Sequence, residues 1–269
     1  MEHYINQYIN KLKSERRKSI NTLMSYKRDL KQYHDFLHDE LNIKSIISVT
    51  LGNIRSYVRH LNDKGMSANS IKRAISSIRV YHSYITEKGF RRILNFVKPG
   101  VWEYEIEAEF ANEFIKNRSK GFAYSPIIAS GQSNNILHYI QNNSKCQSGD
   151  LILIDVGAEY GNYSSDMTRT IPVSGKFTPR QRAVYDAVQK IGEESMQLLV
   201  PGTQIKEYNN EVGKIMTSAL IDLGLLNKKD SKIKDKKNPA YKKYFMHGTS
   251  HHLGLDTHDY GSVSYTHLR

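Results

Sequence analysis

The chain has one cysteine, Cys146, one tryptophan and six prolines in 269 residues. A single thiol excludes an internal disulfide and fits a reducing compartment, so a cytoplasmic location is expected. No run approaches the ~20 apolar residues of a membrane span, and the N-terminus lacks the apolar stretch of a secretion signal, so no membrane partner is expected. Acidic residues are scarce, 27 against 39 lysines and arginines. Residues 1–90 hold 16 basic against 8 acidic side chains (net +8) and the remainder 23 against 19 (net +4). A basic N-terminal third points toward nucleic acid, with a solvated helical surface as the alternative. The length admits two modest domains or one large one, and 39% hydrophobic content suffices for a core.

Basic charge is also missing from one particular place. Met246-His247-Gly248-Thr249-Ser250-His251-His252-Leu253-Gly254-Leu255-Asp256-Thr257-His258-Asp259 has four of the chain's eleven histidines in twelve residues, two aspartates, and no lysine or arginine. Imidazole is the commonest protein ligand for transition metals, and carboxylates complete such sites. Alone, the cluster reads equally as a His-rich surface loop or as histidines satisfied by hydrogen bonds in a core.

A second element favours the metal. Leu151-Ile152-Leu153-Ile154-Asp155-Val156-Gly157, a turn-like Gly161-Asn162, and Ser165-Asp166-Met167-Thr168-Arg169-Thr170-Ile171 read as a β-hairpin. With the turn centred on Tyr160-Gly161, Asp155 and Asp166 are equidistant from it and oppose each other across the strands. Opposed carboxylates ~5 Å apart repel unless a proton or a metal lies between them.

These segments resemble the pita-bread metallopeptidases, specifically aminopeptidase P (Xaa-Pro aminopeptidase), from about residue 85 to 261. Val97-Lys98-Pro99-Gly100, Glu103 to Glu109, Ile136-Leu137-His138-Tyr139 and Asp166-Met167-Thr168-Arg169-Thr170 add to the likeness. The resemblance implies metal ligands at Asp155, Asp166 and His251, with Asp166 bridging two ions. It implies His247 and His258 lining the pocket, and His138 near the substrate amine or the scissile bond. It also implies two divalent ions, Mn(II) first with Co or Zn as substitutes, and peptide substrates with proline second. The family draws two further ligands, both glutamates, from strands after the histidine motif, whereas the last glutamate here is Glu211. Weak metal binding, weak or absent activity and an unpaired sheet edge are the expectations.

Residues 3–87 read as four helices with apolar stripes at helical spacing: Tyr4 to Leu12, Leu23 to Leu37 after Ser19 or Thr22, Ile54 to Leu61 after Thr50, and Ile71 to Tyr84 after Ser67. None carries a chemically suggestive cluster. Ser19-x-x-Thr22-x-x-x-Tyr26-x-x-Asp29-Leu30 and Ser67-x-x-Ser70-Ile71-Lys72-Arg73-x-x-Ser76-x-x-Arg79 resemble the N-terminal core-binding domain of Xer-type tyrosine recombinases. That likeness implies duplex DNA as a partner, with Lys27, Lys72, Arg73 and Arg79 on phosphates. The recombinase's catalytic half is absent, so no strand cleavage is expected.

The expected architecture is α+β: a SAM-like four-helix bundle (1–87), an incomplete pita-bread domain (88–261) and a non-native-looking tail (262–269). No linker separates the two families, and the chain reads as chimeric. In the second part a helix is expected near 102–117 and a strand near 122–129. Helices are expected from Thr178-Pro179 to about Leu199, stopped by Pro201-Gly202, and over about 205–224. The lysine-rich 228–243 reads as a loop before a strand at Tyr244-Phe245-Met246.

Overall fold

The N-terminal apolar stripes form helices as their spacing predicts. The structure, a computed structural model, describes residues 2–14, 19–43, 51–160, 162–200, 202–229 and 239–259. The Thr50 cap, Gly161 of the turn, the Pro201 stop and the tail fall outside these, as do the side chains of Tyr4 and Arg79. Helices α1 (Glu2–Ser14), α2 (Ile20–Asp35), α3 (Leu51–Asp63) and α4 (Ala68–Phe96) come first, with a π-helical turn at Phe36–Glu40 extending α2. Ser19 and Ser67 are N-caps: their hydroxyls accept from the backbone N–H of Thr22 and Ser70. The stripe residues Tyr8, Leu30, Leu37, Tyr57, Leu61 and Ile78 are buried. Inside this apolar layer Asp29, 1% exposed, accepts from Arg73 Nε at 2.9 Å and Nη2 at 3.0 Å.

Helix α4 does not stop near residue 87. It runs 29 residues, so the text of both resembled families lies on one helix. Gly89 sits mid-helix where α5 (Glu103–Lys116) crosses, and a Cβ there would meet the Phe110 ring at 2.7 Å. Glycine costs helix stability but permits that approach. Ion pairs Lys11–Glu87 and Arg92–Glu109 tie α1 to α4 and α4 to α5.

Two antiparallel three-stranded sheets follow, β1-β4-β5 and β2-β3-β6. The strands are β1 (Gly121–Phe122), β2 (Ile127–Ser130), β3 (Leu151–Val156), β4 (Ala158–Tyr160), β5 (Tyr163–Ser164) and β6 (Met167–Pro172). The strand expected at 122–129 is thus two strands, interrupted before Pro126, which has no N–H for a ladder. Along β3 the residues Ile152, Ile154 and Val156 are buried at 0% exposure, which places Leu151, Leu153 and Asp155 on the opposite face. One hydrophobic core runs from Ile5 to Val173, with Tyr81 edge-on to Tyr160 at 5.4 Å. Strands β2 and β6 are edges among the described residues.

Two compact units emerge from the contacts. The first comprises 1–175 with 253–259, and the second spans 176–252. The second contains α6 (Pro179–Gln197), started by a Thr178–Gln181 capping box, and α7 (Ile205–Asp222). Tyr244-Phe245-Met246 forms no strand: a short 3-10 turn ends there, and no neighbouring strand is present among the described residues to form a ladder. Among the described residues no helix is long and apolar enough to cross a membrane.

Candidate metal centre

The hairpin carrying the aspartates is real, but its register differs from the expected one. Asp155 pairs with Thr168 and Val156 with Met167, while Tyr160 opposes Tyr163. The pairing is therefore centred between Tyr160 and Tyr163, with Asn162 at φ 61°, and not on Tyr160-Gly161. Asp166 lies two residues from Asp155's partner, a diagonal neighbour on the same face rather than directly opposite. Gly157 permits the local geometry: the Ser165 carbonyl oxygen stands 1.7 Å from where a Cβ would be. Behind it, the hydroxyls of Thr86 on α4 and Ser165 lie 2.6 Å apart, and both accept from the Ala158 N–H at 3.1 and 2.8 Å.

The aspartates converge on a residue that no sequence pattern singled out. Tyr124, in the break between β1 and β2, presents its hydroxyl 2.6 Å from Asp155 Oδ1 and 3.2 Å from Asp166 Oδ1. Burial, then the hydrogen bond and charge of Asp155, then Asp166, push its phenol well above the ordinary tyrosine range. The hydroxyl stays protonated and donates, but one hydrogen cannot fully serve two carboxylates. A divalent cation suits what remains: two hard oxygen donors on one face with excess negative charge. Within the first unit no third His, Cys, Asp or Glu joins them as a metal-binding group among the described residues.

The expected histidines are distributed over both units. His138 is exposed, with φ 54°, on a loop held from below. That anchor is Glu103, fully buried, whose carboxylate accepts from Ser130 N–H (2.6 Å), Ser130 Oγ (2.7 Å), Tyr139 hydroxyl (2.8 Å) and Ser144 N–H (2.9 Å). His258 is exposed on the 253–259 segment, which docks on β5: Ser164 N–H donates to Gly254 O at 2.8 Å and its hydroxyl to Leu255 O at 3.1 Å. His247 and His251 belong to the second unit and are exposed, with Nδ1 atoms 3.0 Å from the Gly248 and His252 carbonyls. Burial pushes the Cys146 thiol up to about 11, so it provides no thiolate nucleophile at neutral pH.

Comparison with known proteins agrees with this geometry. Residues 82–269 match metallopeptidase family M24. The chain belongs to that family. Residues 5–89 separately match the N-terminal SAM-like domain of phage integrases. A Haemophilus influenzae Xaa-Pro aminopeptidase is 42% identical over 178 residues, 66% of this chain and 41% of that protein. The Escherichia coli Xaa-Pro aminopeptidase is 45% identical over 177 residues, 66% of this chain and 40% of that protein. The M24 chain thus spans about two fifths of the length of these relatives. Zinc-substituted Escherichia coli aminopeptidase P in complex with product superposes with a TM-score of 0.68 at 38% identity, covering 73% of this chain and 44% of that one. Aminopeptidase P from the same organism with the inhibitor Pro-Leu gives the same TM-score and identity, covering 73% and 45%. The fold of the matched part is therefore that of the pita-bread enzymes, α+β as expected.

Five residues named for the N-terminal likeness have these positions among the described residues. Arg73, expected on a phosphate, has two donors committed to Asp29. Lys27 is half-buried and Lys72 exposed, while Ser19 and Ser67 cap helices.

Proposed function

We propose that the M24 segment is part of a metal-dependent aminopeptidase that hydrolyses the N-terminal Xaa-Pro bond of peptides. The observation that carries this is the convergence of Asp155 and Asp166 on one hydroxyl, in a chain of which 66% aligns at over 40% identity with two Xaa-Pro aminopeptidases. In this reading Asp155, Asp166 and His251 would hold divalent cations, Mn(II) first. Such ions, when bound, supply Lewis acidity and lower the pKa of water. Tyr124 orients the two carboxylates and keeps a proton there. Glu103 fixes the loop that presents His138 to the substrate amine, while His247 and His258 contact the substrate. Within this reading residues 1–87 form a DNA-binding-like helical module, 88–261 the partial metallopeptidase domain and 262–269 a tail foreign to both.

The test is release of the N-terminal residue from Xaa-Pro and Xaa-Ala peptides by the full chain with added Mn2+, in parallel with Mn2+ binding. Binding that is lost in Asp155→Asn, together with release confined to Xaa-Pro, is the expected result. Tight Mn2+ binding that survives both Asp155→Asn and Asp166→Asn would refute it.

The match of residues 5–89 to the integrase domain favours a second role, duplex DNA binding by the N-terminal helices. Lys27, Lys72 and Arg79 are its candidate phosphate contacts. Binding that weakens steeply with salt, and further on Lys72→Ala, would support it; salt-independent or absent binding would not.

A further inference from the structure

The N-terminal helices hold a cluster that their sequence pattern does not display. His34 lies in the last turn of α2 and His38 within the π-helical turn Phe36–Glu40. In a regular α-helix residues four apart are offset by about 40° around the axis. The wider π turn, closing i→i+5 bonds, reduces that offset. The two imidazoles accordingly lie one above the other, centroids 6.1 Å apart and planes within 19°.

Each ring is held at the same atom by the same kind of group. His34 Nδ1 lies 3.2 Å from Asp35 Oδ1 and His38 Nδ1 2.7 Å from Asp39 Oδ1. An ionised carboxylate only accepts, so in the neutral rings Nδ1 carries the proton and Nε2 the lone pair. Lys31 Nζ donates to the other oxygen of Asp35, Oδ2, at 2.6 Å. A carboxylate on Nδ1 is the arrangement that orients metal-ligating histidines and raises their basicity. No hydrogen bond to either Nε2 is present among the described residues. The rings are accessible, 30% and 54% exposed, and Asp35 and Asp39 line an open cleft between α2 and α3.

We propose that His34 and His38 form a two-imidazole site for a borderline divalent transition ion such as Zn2+ or Ni2+, separate from the Asp155/Asp166 centre. An ion about 2.1 Å from each nitrogen spans ring nitrogens up to about 4 Å apart. Rings stacked 6.1 Å apart reach that separation by small rotations about χ1 and χ2 together. Water completes the coordination, and the aspartates remain behind the rings. Imidazole donors select Zn2+, Ni2+ and Cu2+ over Mg2+ or Ca2+.

The test is a titration of the 15N-labelled full chain with Ni2+ alone, read as paramagnetic broadening of backbone amide signals. Signals from residues 33–40 are expected to broaden as a group. His34→Gln and His38→Gln should each raise the Ni2+ concentration required by about tenfold or more, and Asp155→Asn should leave it unchanged. Both rings are solvent-accessible, so both variants should keep the wild-type spectrum elsewhere, which the same data check. Signals at 33–40 that stay sharp in large molar excess of Ni2+, or broaden equally in both glutamine variants, would overturn the proposal. Loss of the effect in Asp155→Asn would overturn its independence from the other centre.

Discussion

Tyr124 shows how one side chain can organise a site without announcing itself in the sequence. Its hydroxyl stands within hydrogen-bond distance of two like-charged groups, and a hydrogen bond to a charged group is worth about 1.5–3 kcal/mol. Tyr124→Phe should destabilise the metal-free chain by about 2 kcal/mol in urea unfolding, and by less when Mn2+ is saturating, because the cation then neutralises the pair. An equal loss with and without Mn2+ would separate Tyr124 from the metal. Asp155 and Asp166 were legible as candidates from their residue type and the β-rich text around them. Tyr124 was not, since it reaches them from outside the hairpin, and neither was Glu103, whose four donors come from residues 130–144.

At the scale of helices and strands, residues that carry a family likeness turn out to build the elements. Arg73→Ala would leave Asp29 buried and unpaired, and losing one partner of a buried pair costs about 3–5 kcal/mol. Arg73 is one-third exposed, so a loss near about 3 kcal/mol is expected in urea unfolding, at the low end of that range. Lys72→Ala one residue away should change stability by less than about 0.5 kcal/mol. Similar losses for both would show that the ion pair is not what holds α2 to α4. Gly157→Ala forces a Cβ onto a backbone carbonyl, which cannot rotate away, so the β3–β6 ribbon must open. A cost of about 3 kcal/mol or more is expected, and a folded, equally stable Gly157→Ala chain would contradict the close approach. Caps and stripes placed the helices because both are local. The π turn at Phe36–Glu40 and the two-residue slip in the hairpin escaped because they depend on packing around the elements.

For the whole molecule, tyrosine dominates the response to alkali. Burial pushes the phenols of Tyr8, Tyr33, Tyr57 and Tyr124 well above the ordinary value near 10. Below about pH 10 both folded and unfolded chains keep these protons, so their contribution is fully present. Above it the unfolded chain releases protons that the folded chain retains, and stability falls as pH rises. Phenolate absorbance of these groups should appear together with loss of helical circular dichroism, not before it. A smooth titration of all 18 tyrosines near pH 10 with the helices intact would refute this. The hydroxyls of Tyr8, Tyr33 and Tyr57 also lack hydrogen-bond partners among the described residues, which adds to the cost of burying them.

Sequence alone determined the family text on either side of residue 87, the helical stripes with their serine caps, and the residue types of a carboxylate and imidazole centre. Those are local or compositional properties, set by spacing along the chain and by side-chain chemistry. Only the tertiary structure decided that α4 runs unbroken through the junction, that one core extends from Ile5 to Val173, that Asp155 and Asp166 meet diagonally at Tyr124, and that His34 and His38 stack. Each of these depends on strand register, helix winding or contacts between residues far apart in the chain. Packing selects among them, and spacing along the sequence leaves them open.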